Sequence, residues 1–152
     1  MTSDVVSVER VIPAPPEKIF ELLADPTKHA TFDGSGTVRD STRQSDSPLK
    51  LGSTFGMNMK MGPAYTMVNT IVELEPNRLI AWQAHKGPKG IARAMTGRIW
   101  RYELEPVEGG TRVRESWDVS RDGMGWLLKR IAAKKTEENM TRTLERIEKS
   151  FA

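Results

Sequence analysis

Two adjacent prolines, Pro15-Pro16, constrain this chain more than any other feature, because they end one kind of backbone and begin another within a few residues. Ahead of them Val6, Val8 and Val11-Ile12 suit a half-buried strand. Proline cannot extend the strand ladder, yet its fixed φ suits the first turn of a helix, whose amides need no intrahelical partner. Glu17 then falls in the first turn, where the helix dipole favours a negative charge. Ile19, Phe20, Leu22 and Leu23 recur at helical spacing and should bury one face, and Asp25-Pro26 reads as the cap and first residue of a second short helix.

Beyond these helices the pattern changes to a meander of strands. Asp33-Gly34-Ser35-Gly36 is a turn signal, and residues 37–41 form a short polar strand candidate. The segment from Thr54 to Met61 alternates, with Phe55, Met57, Met59 and Met61 on one face. Gly62-Pro63 turns it into a strand from Tyr65 to Leu74, where Val68, Val72 and Leu74 share a face. Glu75-Pro76-Asn77-Arg78 leads to Leu79-Ile80-Ala81-Trp82-Gln83. After the Gly-rich connection Lys86 to Gly90, a strand from Arg98 to Leu104 and another from Val113 to Val119 form a hairpin through Glu108-Gly109-Gly110. Asp122 caps a final helix from about Gly123 to Phe151, in which Leu127, Leu128, Ile131, Met140, Leu144, Ile147 and Phe151 form an apolar stripe interrupted at Lys134 to Glu138. Strands followed by one long amphipathic helix predict an α+β fold.

The 152 residues predict a single domain spanning 1–152. With no cysteine, disulfides and thiol chemistry are excluded, and a reducing, cytoplasmic location is the expectation. No apolar run approaches the roughly 20 residues of a membrane span, and the first residues do not open a signal peptide. His29 and His85 are the two histidines, so neither a metal site nor an HExxH motif is expected. A triad of His29, Asp33 and Ser35 would lack the nucleophile elbow that exposes a reactive serine. His85, by parity with Gln83, should face outward. Residues Gly87 to Gly90 lack the Lys-Ser/Thr ending of a phosphate loop. A net charge of +3 arises from interleaved signs, and its most visible cluster, Lys129-Arg130 with Lys134-Lys135, reads as a solvated helix face in preference to an anionic docking patch. Nucleic-acid binding is not expected, because the aromatics alternate inward instead of lying among exposed basic residues.

Alternation also assigns the interior. In the hairpin, Trp100, Tyr102 and Leu104 share a face with Arg98, and Val113, Glu115, Trp117 and Val119 face the same way from the partner strand. Phe55, Met57, Met59, Val68, Ile80 and Trp82 join them, and a one-residue slip in any strand would reverse its assignment. The methionine stripe serves a core or an adaptable ligand surface equally well. The tryptophans can line a pocket or fill it themselves. Glu115 is the candidate acid or base: a carboxylate among aromatics has its charged form disfavoured and its pKa raised. Pairing with Arg98 or a tyrosine hydroxyl, or an outward-facing position, is the competing reading.

The Pro15-Pro16 switch, the turn at residues 33–38 and the hairpin Trp100-x-Tyr102-x-Leu104-Glu105-Pro106 with Gly110-Thr111-Arg112-Val113-x-Glu115-Ser116-Trp117 resemble the polyketide cyclase/dehydrase and lipid-transport branch of the START-like (SRPBCC) superfamily. The likeness covers essentially the whole chain. It implies a helix-grip fold, in which a seven-stranded antiparallel sheet curves around the long C-terminal helix and two short helices follow the first strand. It also implies a cavity that holds a small hydrophobic molecule: a lipid, an acyl chain or a polyketide-like compound. Leu128 and Ile131 of the last helix would then complete a lining that includes Arg98, Trp100, Tyr102, Glu115 and Trp117. No cofactor is implied, membrane contact is at most transient, and monomer and homodimer are both compatible. The alternative within this resemblance is a cofactor-independent aromatase/cyclase or dehydratase using Glu115.

Overall fold

The computed structural model describes residues 5–25, 28–32, 38–41, 49–60, 64–86, 97–120 and 125–151; for residues 30, 38–41, 55–60, 64–67, 84–86, 125 and 128 the backbone alone is described. Its elements are β1 (Val5–Ile12), α1 (Pro16–Leu23), α2 (His29–Phe32), β2 (Val38–Ser41), β3 (Thr54–Lys60), β4 (Ala64–Glu75), β5 (Leu79–Lys86), β6 (Ile99–Val107), β7 (Gly110–Asp118) and α3 (Gly125–Ser150). All strands join one antiparallel sheet in the order β1-β7-β6-β5-β4-β3-β2, with the C-terminal helix α3 packed on β1, β7 and α2. The fold is α+β.

The proline switch works through backbone and side-chain hydrogen bonds together. Ala14 N donates to Ile12 O at 2.8 Å, and the buried Thr111 hydroxyl donates to Ala14 O at 2.7 Å, so the start of β7 fixes the exit of β1. Pro15 is the N-cap and Pro16 the first residue of α1, which turns Ile19 and Leu23 into the core. The second helix begins later than Asp25-Pro26 suggests: α2 starts at His29, and Lys28 N donates to Asp25 O.

The sheet is regular on one side and irregular on the other. β1, β7 and β6 pair without a register shift, so the inward set of the hairpin follows simple alternation. Trp117, Glu115 and Val113 are buried on β7, and Tyr102 and Leu104 on β6. On β4, by contrast, the register shifts between Val68 and Asn69 and again between Ile71 and Glu73. Asn69 and Ile71 therefore take the buried positions, and Leu74 packs on the core after the second shift. This overturns the inward assignment of Val68 and Val72, both half-buried: the shift between Ile71 and Glu73 places the extra residue, Val72, on β4, so the parity read from Leu74 is reversed ahead of it, whereas the shift at Val68/Asn69 places its extra residue on β5.

Helix α3 is continuous across Lys134 to Glu138, where Lys134, Lys135, Glu137 and Glu138 are exposed and Thr136 is buried. Its buried face is set by Met140, Leu144 and Ile147, the first packed with Trp117 and Val119, the others in the main core with Ile12, Ile19 and Val113. Ile131 is 74% exposed, which corrects its assignment to the interior. It stands nine residues before Met140, which at about 100° per residue puts it on the opposite side of the helix.

Candidate functional site: the aromatic inner face

Three tryptophans sit side by side across three strands. Trp82 of β5 pairs with Trp100 of β6, which pairs with Trp117 of β7, because each strand presents its aromatic at the same register. The Trp100 and Trp117 rings are 6.2 Å apart at 30°, within the range in which aromatic pairs attract beyond their area burial. One step along, Tyr102 lies between Ile80 and Glu115, and its ring is 5.4 Å from that of Trp82. Trp82, Tyr102 and Trp117 are buried, and Trp100 is half-buried at the join of the two core clusters.

His29 belongs to this surface although alternation could not place it. The short helix α2 lays its ring on Trp82, 4.8 Å away and nearly parallel, with Phe32 edge-on at 5.4 Å. Nε2 is 2.9 Å from Leu23 O, the last residue of α1, so with the proton on Nε2 the imidazole donates to that carbonyl. The sequence signal was a histidine within a helical segment leading to Phe32. Asn69 is the second unforeseen residue, inward on the same face of β4 as Ile71.

Polar atoms remain in this interior. Trp117 Nε1 and Asn69 Nδ2 are buried without a hydrogen-bond partner, as are Nδ1 of His29 and Oε1 of Glu115. His29 is engaged through Nε2, and Glu115 has an interaction of its own. Leaving a buried donor unmet costs about 1–3 kcal/mol, so such atoms mark places where another polar group would be welcome. Glu115, 3% exposed, faces inward as alternation predicted.

The remaining assignments divide as follows. Arg98 lies just ahead of β6 instead of within it, half-buried and with an interaction of its own. The side chains of Phe55, Met57, Met59 and Leu128 fall outside the described ones, as do Met61 and Gly87 to Gly90. The opposite face of the sheet is ionic: Arg101 holds Glu73 at 2.7 Å and Asp118 at 3.6 Å. The hydrogen bond to Glu73 raises the Arg101 pKa above its ordinary value, against the opposing effect of burial. A separate cleft of about 600 Å³ opens at the end of the sheet beside Pro16, Arg78, Glu103 and Arg112. Its charged rim does not match an apolar ligand. Among the described residues, no group of three His, Asp or Glu side chains could hold a metal.

An antiparallel sheet with an aromatic inner face, two short helices after its first strand and a packed C-terminal helix defines a class of α+β proteins. The chain belongs within it to the polyketide cyclase / dehydrase and lipid transport family, whose model matches residues 3–152. An uncharacterized Mycobacterium tuberculosis protein, Rv0088, is 33% identical over 114 residues, 74% of this chain and 46% of that protein. The chain thus spans about half the length of the curated relatives it matches. Among solved structures, Ms6760 from Mycobacterium smegmatis superposes with a TM-score of 0.72 at 15% identity, covering 98% of this chain and 91% of that one. NE0264 from Nitrosomonas europaea gives 0.71 at 14% identity, covering 98% and 95%. At these identities the likeness is one of fold.

Proposed function

We propose that the chain binds a small hydrophobic molecule, ring-bearing or acyl, between the inner face of the sheet and α3, the sheet gripping the helix around it. One observation carries this reading: Trp117 Nε1 and Asn69 Nδ2 are buried donors without partners, set in a surface of tryptophans. A core that merely filled itself would gain by replacing such groups with apolar ones. A ligand carbonyl or hydroxyl would satisfy them, while its apolar body contributes about 25 cal/mol for each Å² removed from water. The family's lipid-transport members agree with this chemistry.

The experiment is a mass spectrum of whatever copurifies with the folded protein, followed by titration of that compound into protein stripped of it. Binding should raise the melting temperature. Asn69→Leu should leave the protein as stable or more stable yet weaken the ligand about tenfold, the worth of one well-made hydrogen bond. Unchanged affinity in Asn69→Leu and Trp117→Phe together would remove the basis of the proposal.

A second reading, a cofactor-independent cyclase or dehydratase, is favoured by one feature: Glu115 is buried directly opposite Tyr102. A carboxylic acid there can move a proton while the phenol stabilises an enolate. If so, Glu115→Gln should cut turnover of a poly-β-keto substrate by about 10²-fold or more while preserving binding. A carrier has no such activity to lose.

A further inference from the structure

We propose that the first three turns of α3 form a docking surface for an anionic lipid bilayer. Two large apolar side chains stand out in water there: Trp126 is 67% exposed and Ile131 is 74% exposed. The same segment carries Lys129, Arg130, Lys134 and Lys135, while no acidic residue occurs from Gly125 to Thr136. These four cations exceed the net charge of the whole chain, +3, so the protein's positive excess is concentrated in this segment. Among the described residues none of the four is held in an ion pair. The pattern ends abruptly, because Glu137 and Glu138 begin a stretch of mixed sign.

Helical geometry arranges these residues in two neighbouring rows four apart, Trp126-Arg130-Lys134 and Leu127-Ile131-Lys135. Ile131 and Lys135 point away from the Met140 stripe. Trp126 stands at the edge of that stripe and is exposed nonetheless. Leu127, Ile131, Lys134 and Lys135 thus share one outward side with Arg130 at its edge, whereas Trp126 and Lys129 lie toward the side of the buried stripe. The mixture of apolar and cationic groups on the outward side suits the boundary between headgroups and acyl chains. Lys and Arg stems can lie along apolar surface while their charges meet lipid phosphates. Among the described residues no helix is long and apolar enough to cross a membrane, so the helix would lie on the surface.

Other occupants fit less well. A second copy would bring four cations against four. Nucleic acid would satisfy the charges and could stack a base on Trp126, but it has little use for Ile131 and Leu127 on the outward side, which cannot stack as planar groups do. The inference is independent of what the interior holds.

The test is cosedimentation of the whole protein with vesicles of phosphatidylcholine alone or mixed with phosphatidylglycerol. Binding should favour the anionic vesicles by tenfold or more and fall with salt. Ile131→Asp should weaken binding about tenfold, and Lys134→Gln with Lys135→Gln by on the order of fivefold per charge, with the melting temperature unchanged because all three positions are exposed. No binding to anionic vesicles, or binding indifferent to Ile131→Asp, overturns the proposal. So does tighter binding to an oligonucleotide, or a dimer that the lysine changes dissolve.

Discussion

The two halves of α3 share one helix and serve opposite ends. From Thr136 onward the helix is an ordinary amphipathic element: Met140, Leu144 and Ile147 are at most 1% exposed, and Glu148 reaches Arg10 of β1 at 2.9 Å. Before Thr136 it leaves Trp126 and Ile131 in water among unopposed cations. The stripe of apolar residues in the sequence is continuous in character, yet it changes side along the helix. Ile131 is exposed by its azimuth, and Trp126 is exposed although it shares the azimuth of the buried Leu144, so one half of the helix contributes stability and the other is left for contact with something outside the fold.

The buried half depends on the position of β1, and the largest effect should come from disturbing that strand. Gly110 opens β7 at φ +145, and a Cβ there would overlap the Ile12 carbonyl oxygen and approach Pro13 Cα to 2.9 Å. Gly110→Ala must therefore move the end of β1 or distort the hairpin. We expect a loss of about 3–5 kcal/mol in urea unfolding, since strain and a backbone clash coincide. Next comes Ile147→Ala, which leaves a cavity against Ile12 and Val113 and should cost about 2–5 kcal/mol. Measured on the folded fraction, neither change should alter vesicle binding. If Ile147→Ala weakened it as much as Ile131→Asp does, the division between the halves would fail.

What could be read from the sequence follows the same physics. The β6–β7 hairpin was legible residue by residue because no bulge interrupts it: once Trp100 and Tyr102 are inward, alternation fixes Glu115 and Trp117. On β4 the same rule chose Val68 and Val72, and the shift between Ile71 and Glu73, one of two in its pairing with β5, made it wrong. Nothing in the local composition marks those shifts; they belong to how β4 meets β5. Ile131 was misplaced for a related reason, since spacing groups residues into stripes without saying which stripe meets the sheet. His29 escaped because a four-residue helix has too little periodicity to assign a face, and its place against Trp82 depends on where α1 ends. Asn69 escaped because a buried amide goes against the preference that burial arguments use.

The smallest expected change in stability is also the most discriminating. Ile131→Gln replaces an exposed side chain with one of equal or better helix propensity, and a surface change of this kind stays within about 0.5 kcal/mol. Because the Ile131 side chain is in water in the folded protein, its removal forfeits little burial, and Gln loses less rotamer freedom than a β-branched residue in a helix. The expected outcome is therefore a melting curve unchanged or slightly raised, together with weaker attachment to anionic vesicles. A loss of more than about 1 kcal/mol would mean that Ile131 packs against something in the folded chain, and the outward half of α3 would then have to be counted as part of the core.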